Sequence, residues 1–240
     1  MELLVNNRTA LVTGCAKRIG RDIVLDLARS KINIAIHYNF SRAEALELKA
    51  QIQEIGVEAE IFQADLNEDC YEKLIKDVVK RFPNLDILIN NASIFEKTPI
   101  LETTKDQLDR HLNINFQAPF FLTQHFAKIQ KKGVIINFLD AKVKKTSKNY
   151  FSYILTKKIL ADFTSMAAIE LGPNIRINAI CPGITEISPG FDENDFKRIA
   201  NSLPLKKITK IQELTEAVNI LINNDFFTGQ SLFIDSGESL

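Results

Sequence analysis

Residues 9–20 read TALVTGCAKRIG. The first five are an apolar and β-branched run that stops at Gly14, the pattern of a strand buried on both faces. Apolar residues then recur at Ile19, Ile23, Leu27 and Ala28, the period of a helix over 18–30. A strand that turns directly into a helix leaves free N–H groups and the positive end of the helix dipole at the turn, where a pyrophosphate is readily held. Gly14 permits the tight turn and Gly20 allows close approach of backbone, with Lys17 and Ile19 between and beside them. Arg18 stands where a dinucleotide-binding turn usually has its middle glycine.

Outward from this turn, short β-branched runs alternate with longer amphipathic ones. Strands are expected at 32–38, 58–63, 86–90, 133–139, 175–180 and 231–234, and helices at 41–55, 67–82, 104–131 and 150–171, with an irregularity around Pro119. This alternation implies βαβ units with right-handed crossovers. The expected architecture is α/β: a single doubly wound Rossmann domain over 1–240, with a seven-stranded parallel sheet and helices on both faces. The stretch 184–207 is polar and poorly periodic and holds Pro189, Gly190 and Pro204. It reads either as a mobile substrate loop within the domain or as an ordinary surface loop.

Composition narrows the function. The 240 residues carry 30 Lys+Arg and 30 Asp+Glu, so no chain-wide basic field suits a nucleic-acid partner. Cys15, Cys70 and Cys181 are widely separated, and His37, His111 and His125 form no HExxH pair, so no metal site is expected. No apolar run approaches a membrane span and MELLVNN lacks a secretory n-region, so the chain reads as cytoplasmic, with a small molecule as its partner.

The end of the second strand bears on the cofactor. A site for NAD usually has a carboxylate there for the ribose 2′-hydroxyl. Here the residues are His37, Tyr38, Asn39, Phe40, Ser41 and Arg42, with no carboxylate before Glu44. An amide, a hydroxyl and a guanidinium suit a 2′-phosphate, which points to NADPH; alternatively Ser41 caps the next helix and Arg42 is solvated. Tyr153 and Lys157 are four apart on one face of the helix at 150–171. An ammonium beside a phenol draws the phenol's value down from about 10 toward working pH, giving an acid able to protonate an atom that has just received hydride.

Taken together, the TGxxxxxG turn, Asn90-Asn91-Ala92 after the fourth strand, Asn115 in the next helix, Tyr153-x-x-x-Lys157 and Cys181-Pro182-Gly183 after the sixth strand resemble the short-chain dehydrogenase/reductase family across the whole chain. Several features are similar to its pteridine reductase branch: Arg18 in TGCAKRIG, the strand end HYNFS, Asn91-Ala92-Ser93-Ile94-Phe95 followed by Thr98-Pro99, and Asp140 thirteen residues before Tyr153, where most family members have serine. The resemblance implies that Tyr153 donates a proton to a pterin ring nitrogen, with Asp140 positioning it or relaying protons. Lys157 would hold the nicotinamide ribose and lower the Tyr153 pKa. Phe95 would stack on the pterin, Ser93 would bond substrate and cofactor, and Arg18 would reach the phosphates and the pterin. Asp65 and Leu66 would meet the adenine. Pro182, Gly183 and Ile184 would border the nicotinamide, and Asn115 would shape the active-site helix or a proton-carrying water. A homotetramer is implied in the same way.

An aromatic platform suits a flat electron-poor ring, and a carboxylate beside the acid suits proton delivery to nitrogen. Phe95 as core packing and Asp140 as a loop carboxylate remain the alternatives. The basic run Lys142 to Lys148 either attracts an anionic substrate, such as a folate glutamate tail, or is a solvated loop. The expected reaction is NADPH-dependent reduction of a dihydropteridine, dihydromonapterin or dihydrofolate. The rivals are a generic carbonyl reductase, such as one acting on 3-oxoacyl carriers, and a catalytically silent NADP-binding regulator.

Overall fold

The computed structural model describes residues 8–145, 148–185 and 192–240. Among them β1 (Thr9–Val12), β2 (Asn33–Tyr38), β3 (Ala59–Gln63), β4 (Leu85–Asn90), β5 (Gly133–Phe138), β6 (Ile175–Pro182) and β7 (Ser231–Ile234) form one sheet. Its order is β3-β2-β1-β4-β5-β6-β7, and every neighbouring pair is parallel. The helices are α1 (Arg18–Arg29), α2 (Arg42–Glu54), α3 (Tyr71–Arg81), α4 (Lys105–Leu112), α5 (Ala118–Ile129), α6 (Phe151–Leu171), α7 (Glu193–Ser202) and α8 (Ile211–Asn223). The chain winds outward from β1 to β3, then returns to lay β4 on the other side of β1. That reversal opens a crevice beyond the carboxyl ends of β1 and β4, where ligands bind in open α/β sheets.

Successive strand residues point to opposite faces, and both faces are buried. Ala10 and Val12 pack in one layer with Ile23 and Leu27 of α1 and Leu214 and Val218 of α8. Leu11 packs in the other with Leu74 and Val78 of α3 and Leu122 and Phe126 of α5. Burying one such Leu or Ile side chain is worth about 1.5–3 kcal/mol, so sheet and helices are held from both sides.

A buried polar chain then sets where α6 lies on the sheet. Asn90 Nδ2 donates to Asn137 Oδ1 at 2.8 Å, and Asn137 Nδ2 donates to Thr164 Oγ1 at 2.9 Å. Each of these residues is almost wholly excluded from solvent, so breaking one bond strands buried polar atoms. The chain links β4, β5 and α6, and thereby fixes the height of Tyr153 and Lys157 above the strand ends.

The irregularity expected near Pro119 is a π-helical turn, Asn113–Gln117, between α4 and α5. Pro119 has no N–H to give the carbonyl of Asn115, so the ladder widens and Ala118 N donates to Asn113 O. Two helices differ from the sequence expectation. Within 184–207 lies α7, started by Asp192, whose carboxylate accepts from Asp195 N at 2.8 Å. Its apolar period is short, Phe196, Ile199 and Ala200, and no residue of it is fully buried. Residues 186–191 of the expected substrate loop lie outside the described residues. The helix α8 is absent from the expected elements, although Leu214, Ala217, Val218 and Leu221 give it a helical apolar face.

Candidate active site

The turn after β1 is built around a histidine. Gly14 takes a φ of +61°, and a Cβ there would lie 2.9 Å from Ala92 Cα, so only glycine fits. Gly14 N donates to His37 Nδ1 at 3.0 Å and Cys15 N donates to the His37 carbonyl at 3.2 Å. With Nδ1 accepting, the ring proton is on Nε2, which faces Ala64 O at 3.2 Å. Burial pushes His37 down to about 4, so it stays neutral. His37 borders the cavity, and both its ring nitrogens are engaged in pinning the turn and the end of β3. Asn91 closes the other side, donating Nδ2 to Thr13 O at 2.8 Å and to Gly14 O at 3.2 Å. A Cβ on Gly20 would meet Asn91 Nδ2 at 2.6 Å. Arg18 has a φ of +56°, the left-handed conformation that a middle glycine would take at that place.

One continuous cavity of about 1220 Å³ runs over the carboxyl ends of the strands. Its nucleotide end is bordered by Lys17, Arg18 and Ile19 of the turn, by Asn39 and Phe40 after β2, and by Asp65 and Leu66 after β3. Lys17 is ion-paired with Glu44, and its hydrogen bond holds that carboxyl below its usual range. Three expected cofactor residues lie elsewhere. Tyr38 turns into the core, packed in the layer beneath α1 and α2, because the alternation of β2 points it away from the crevice. Ser41 precedes α2 without a side-chain capping bond, and neither it nor Arg42 borders the cavity.

The other end holds the expected acid. Tyr153 is buried with its hydroxyl donating to Asp140 Oδ2 at 2.8 Å, while Asp140 Oδ1 accepts from Lys142 N at 2.8 Å. Asp140 thus both caps a short 3₁₀ turn, Ala141–Lys144, and holds the phenol. Burial first, then the Asp140 charge and hydrogen bond, push the Tyr153 phenol well above its usual range; Arg18 opposes them. Lys157 donates to Phe138 O at 2.7 Å, and burial lowers its ammonium to about 8. The Lys157 ammonium lies 5.8 Å from the phenol ring centre, bound to a carbonyl, while the Asp140 charge and hydrogen bond act on the phenol directly. Pro182, Gly183 and Ile184 form the wall beyond β6; there Gly183 N donates to Ile234 O and Ile184 N to Glu238 Oε2, both at 3.0 Å.

Asn115, expected near the chemistry, is wholly buried behind the loop after β4 and does not border the cavity. Its amide clamps that loop. Oδ1 accepts from Ile94 N at 2.9 Å and Ser93 Oγ at 3.1 Å, and Nδ2 donates to Ile94 O at 3.0 Å and Thr156 Oγ1 at 3.3 Å. The next residue, Phe95, is half exposed at the cavity wall, with the Tyr153 ring edge-on at 4.7 Å. A residue not anticipated from the sequence lies against it: Tyr150 stacks on Phe95 at 4.4 Å between ring centres with 7° between planes. Thr98 holds the two segments together. Its carbonyl accepts from Phe151 N at 3.2 Å and its hydroxyl from Ser152 N at 3.0 Å.

A doubly wound sheet, a glycine-cradled turn and a buried Tyr–Lys pair at one crevice define a dinucleotide-type oxidoreductase site. The short chain dehydrogenase family profile matches residues 8–197, and the chain belongs to that family. Among solved structures it is similar to FolM alternative dihydrofolate reductase 1 from Brucella canis, complexed with NADP: 34% identical, covering 99% of this chain and 96% of that one, with a TM-score of 0.92. By sequence it is 30% identical over 253 residues to a diacetyl reductase [(S)-acetoin forming] of Staphylococcus epidermidis, covering 96% of this chain and 98% of the relative. It is 28% identical over 240 residues to the 3-oxoacyl-[acyl-carrier-protein] reductase FabG of the same species, with the same coverage. No helix among the described residues is long and apolar enough to cross a membrane.

Proposed function

We propose that this protein uses NADPH to reduce a flat, nitrogen-containing ring of the pterin type, with Tyr153 as the proton donor. The observation that carries the reading is the Tyr153 hydroxyl 2.8 Å from Asp140 Oδ2 with Phe95 beside it. A carboxylate that accepts the phenol's hydrogen bond keeps the acid protonated and offers a path by which its proton is replaced after transfer. The stacked pair Phe95 and Tyr150 supplies aromatic surface at the same wall, suited to a planar heterocycle.

The cradle fits a dinucleotide. Gly14 and Gly20 let the turn pack directly against Ala92, Asn91 and Cys15, where a Cβ would collide, and the first turn of α1 offers free N–H groups to a pyrophosphate. Lys17 and Asn39 are the polar side chains placed for a 2′-phosphate. Lys157, fixed by Phe138 O, would meet the nicotinamide ribose. When bound, the cofactor supplies hydride; the residues here hold the ring, exclude water and deliver the proton at the Tyr153 oxygen. The similarity to an NADP-complexed FolM reductase supports both cofactor and ring. The exposed Leu155, Met166 and Ile169 on α6 support the expected tetramer, and the reading includes a cytoplasmic location.

The diacetyl and 3-oxoacyl reductases among the relatives favour a carbonyl substrate as the second reading. The test is NADPH oxidation with dihydrobiopterin, dihydromonapterin, dihydrofolate, diacetyl and a 3-oxoacyl thioester side by side. Turnover of a pterin well above both carbonyls is expected; turnover of the carbonyls alone overturns the pterin reading.

A further inference from the structure

Six cationic side chains border the cavity: Lys17, Arg18, Lys97, Arg110, Lys142 and Lys157. Four are engaged or placed for the cofactor. Lys17 pairs with Glu44, Arg110 Nη2 lies 3.0 Å from Glu96 Oε1, Lys157 is bound to Phe138 O, and Arg18 opens α1 at the phosphate-binding turn. Lys97 and Lys142 make no ion pair with any described residue. Among the described residues three carboxylates border the same cavity, and none of them pairs with either lysine: Asp65 accepts from Asn67 N, Asp140 holds Tyr153, and Glu238 accepts from Ile184 N. Two cations that form no ion pair with a described residue therefore border the space beside the reacting end.

Their places in the chain connect them to the reacting end. Lys97 follows the platform residue Phe95 by two positions, and Lys142 follows Asp140 by two. Both backbones are held, the first by the adjoining Thr98 clasp and the second by Lys142 N donating to Asp140 Oδ1 at 2.8 Å. The basic run beginning at Lys142 does not act as a unit: Lys144 turns away to lie 4.0 Å over the Phe233 ring. Among the described residues of that run, Lys142 alone borders the cavity.

We propose that Lys97 and Lys142 form a subsite for an anionic substituent, a carboxylate or a phosphate ester, carried by the substrate beyond its reacting ring. This deepens the ring-reductase reading above and rests on it. Such a site selects among substrates that share one ring, since the hydride and proton positions are set elsewhere.

The test compares kcat/KM for dihydrofolate, dihydroneopterin monophosphate and uncharged dihydroneopterin, in the wild type and in Lys97→Gln, Lys142→Gln and the double variant. Each substitution is expected to lower the ratio of anionic to uncharged substrate about fivefold at low ionic strength, the scale of one solvent-accessible ion pair. Added salt should lower that ratio in the wild type and leave it unmoved in the double variant. Loss confined to dihydrofolate assigns the subsite to carboxylates, and loss confined to the phosphate ester assigns it to phosphates. A ratio unchanged in the double variant overturns the subsite. Titration of p-aminobenzoylglutamate and of inorganic phosphate into NADP-loaded protein separates this from failure of the ring reading. Binding of either by the wild type and not by the double variant supports the subsite even where no pterin turns over, and absence of binding of both, or equal binding by both proteins, overturns it.

Discussion

Replacing Asn115 by alanine removes four hydrogen bonds at 2.9–3.3 Å from a wholly buried amide, and two of them satisfy the main chain of Ile94. The Ile94 N–H is then left without its partner, and the Ile94 C=O keeps only the long bond from Ser93 Oγ at 3.4 Å. Each such group costs about 1–3 kcal/mol, so the variant should lose about 2–5 kcal/mol after the loop relaxes. In a chain of this size each kcal/mol lowers Tm by roughly 2–4 °C, which places the expected fall at about 4–20 °C by circular dichroism. Ile94 immediately precedes Phe95, so the platform loosens, and the KM for a ring substrate should rise more than kcat falls. Asn115→Asp keeps the shape and the Oδ1 acceptor but loses both donated bonds, and should fall between wild type and alanine in Tm. The reasoning fails if the alanine variant melts within about 2 °C of wild type. It fails equally if kcat collapses at unchanged KM, since the amide would then act at the reacting atoms and not by holding Ile94.

Other outcomes follow from single groups. Tyr153→Phe should cut reduction at least about a hundredfold while leaving NADPH binding by fluorescence titration near wild type. His37 is held at about 4 when folded against about 6.5 when unfolded. The unfolded chain therefore takes up its proton first, so this contribution is fully present above pH about 6.5 and is lost as pH falls toward 4, by about 3 kcal/mol in all. Urea midpoints measured across that range should fall less steeply in His37→Gln. Lys17→Ala should weaken NADPH several-fold and NADH little. Glu44→Gln, which frees Lys17, should tighten NADPH; equal changes for both cofactors would place the 2′-phosphate elsewhere.

The sheet is legible in the sequence because each central strand is buried on both faces and is therefore mostly β-branched or apolar. TALV, NIAIHY and GVIINF announce themselves by composition alone. The turn at Gly14, the pair Tyr153 and Lys157, and Asp140 are legible for another reason, since their spacing is local or fixed by the strand ends. What escapes is whatever depends on contacts distant in sequence. His37 reads as a cofactor residue because its partners, Gly14 N and Ala64 O, lie more than twenty residues away on each side. Asn115 reads as catalytic because nothing local reveals the clamp on Ile94. Tyr150 gives no signal at all, since its stacking on Phe95 exists only once Thr98 has joined the two segments. The helix α7 has only a half-buried face, and its signs in the sequence are the Asp192-x-x-Asp195 capping box and the short apolar spacing of Phe196, Ile199 and Ala200. The order of effects on Tyr153 is likewise a property of burial and not of spacing.

Thr98 spends its backbone N–H, its carbonyl and its hydroxyl on the entry to α6, and none of it meets solvent. Aromatic platform and acid are thereby carried as one rigid piece, and a guest molecule must conform to a template whose spacing does not adapt. Divergence in appetite among such catalysts then has a cheap route. Side chains projecting next to the weld, at positions 96, 97 and 142, are exchangeable without disturbing the reaction coordinate, whereas any change at the weld itself alters every guest at once.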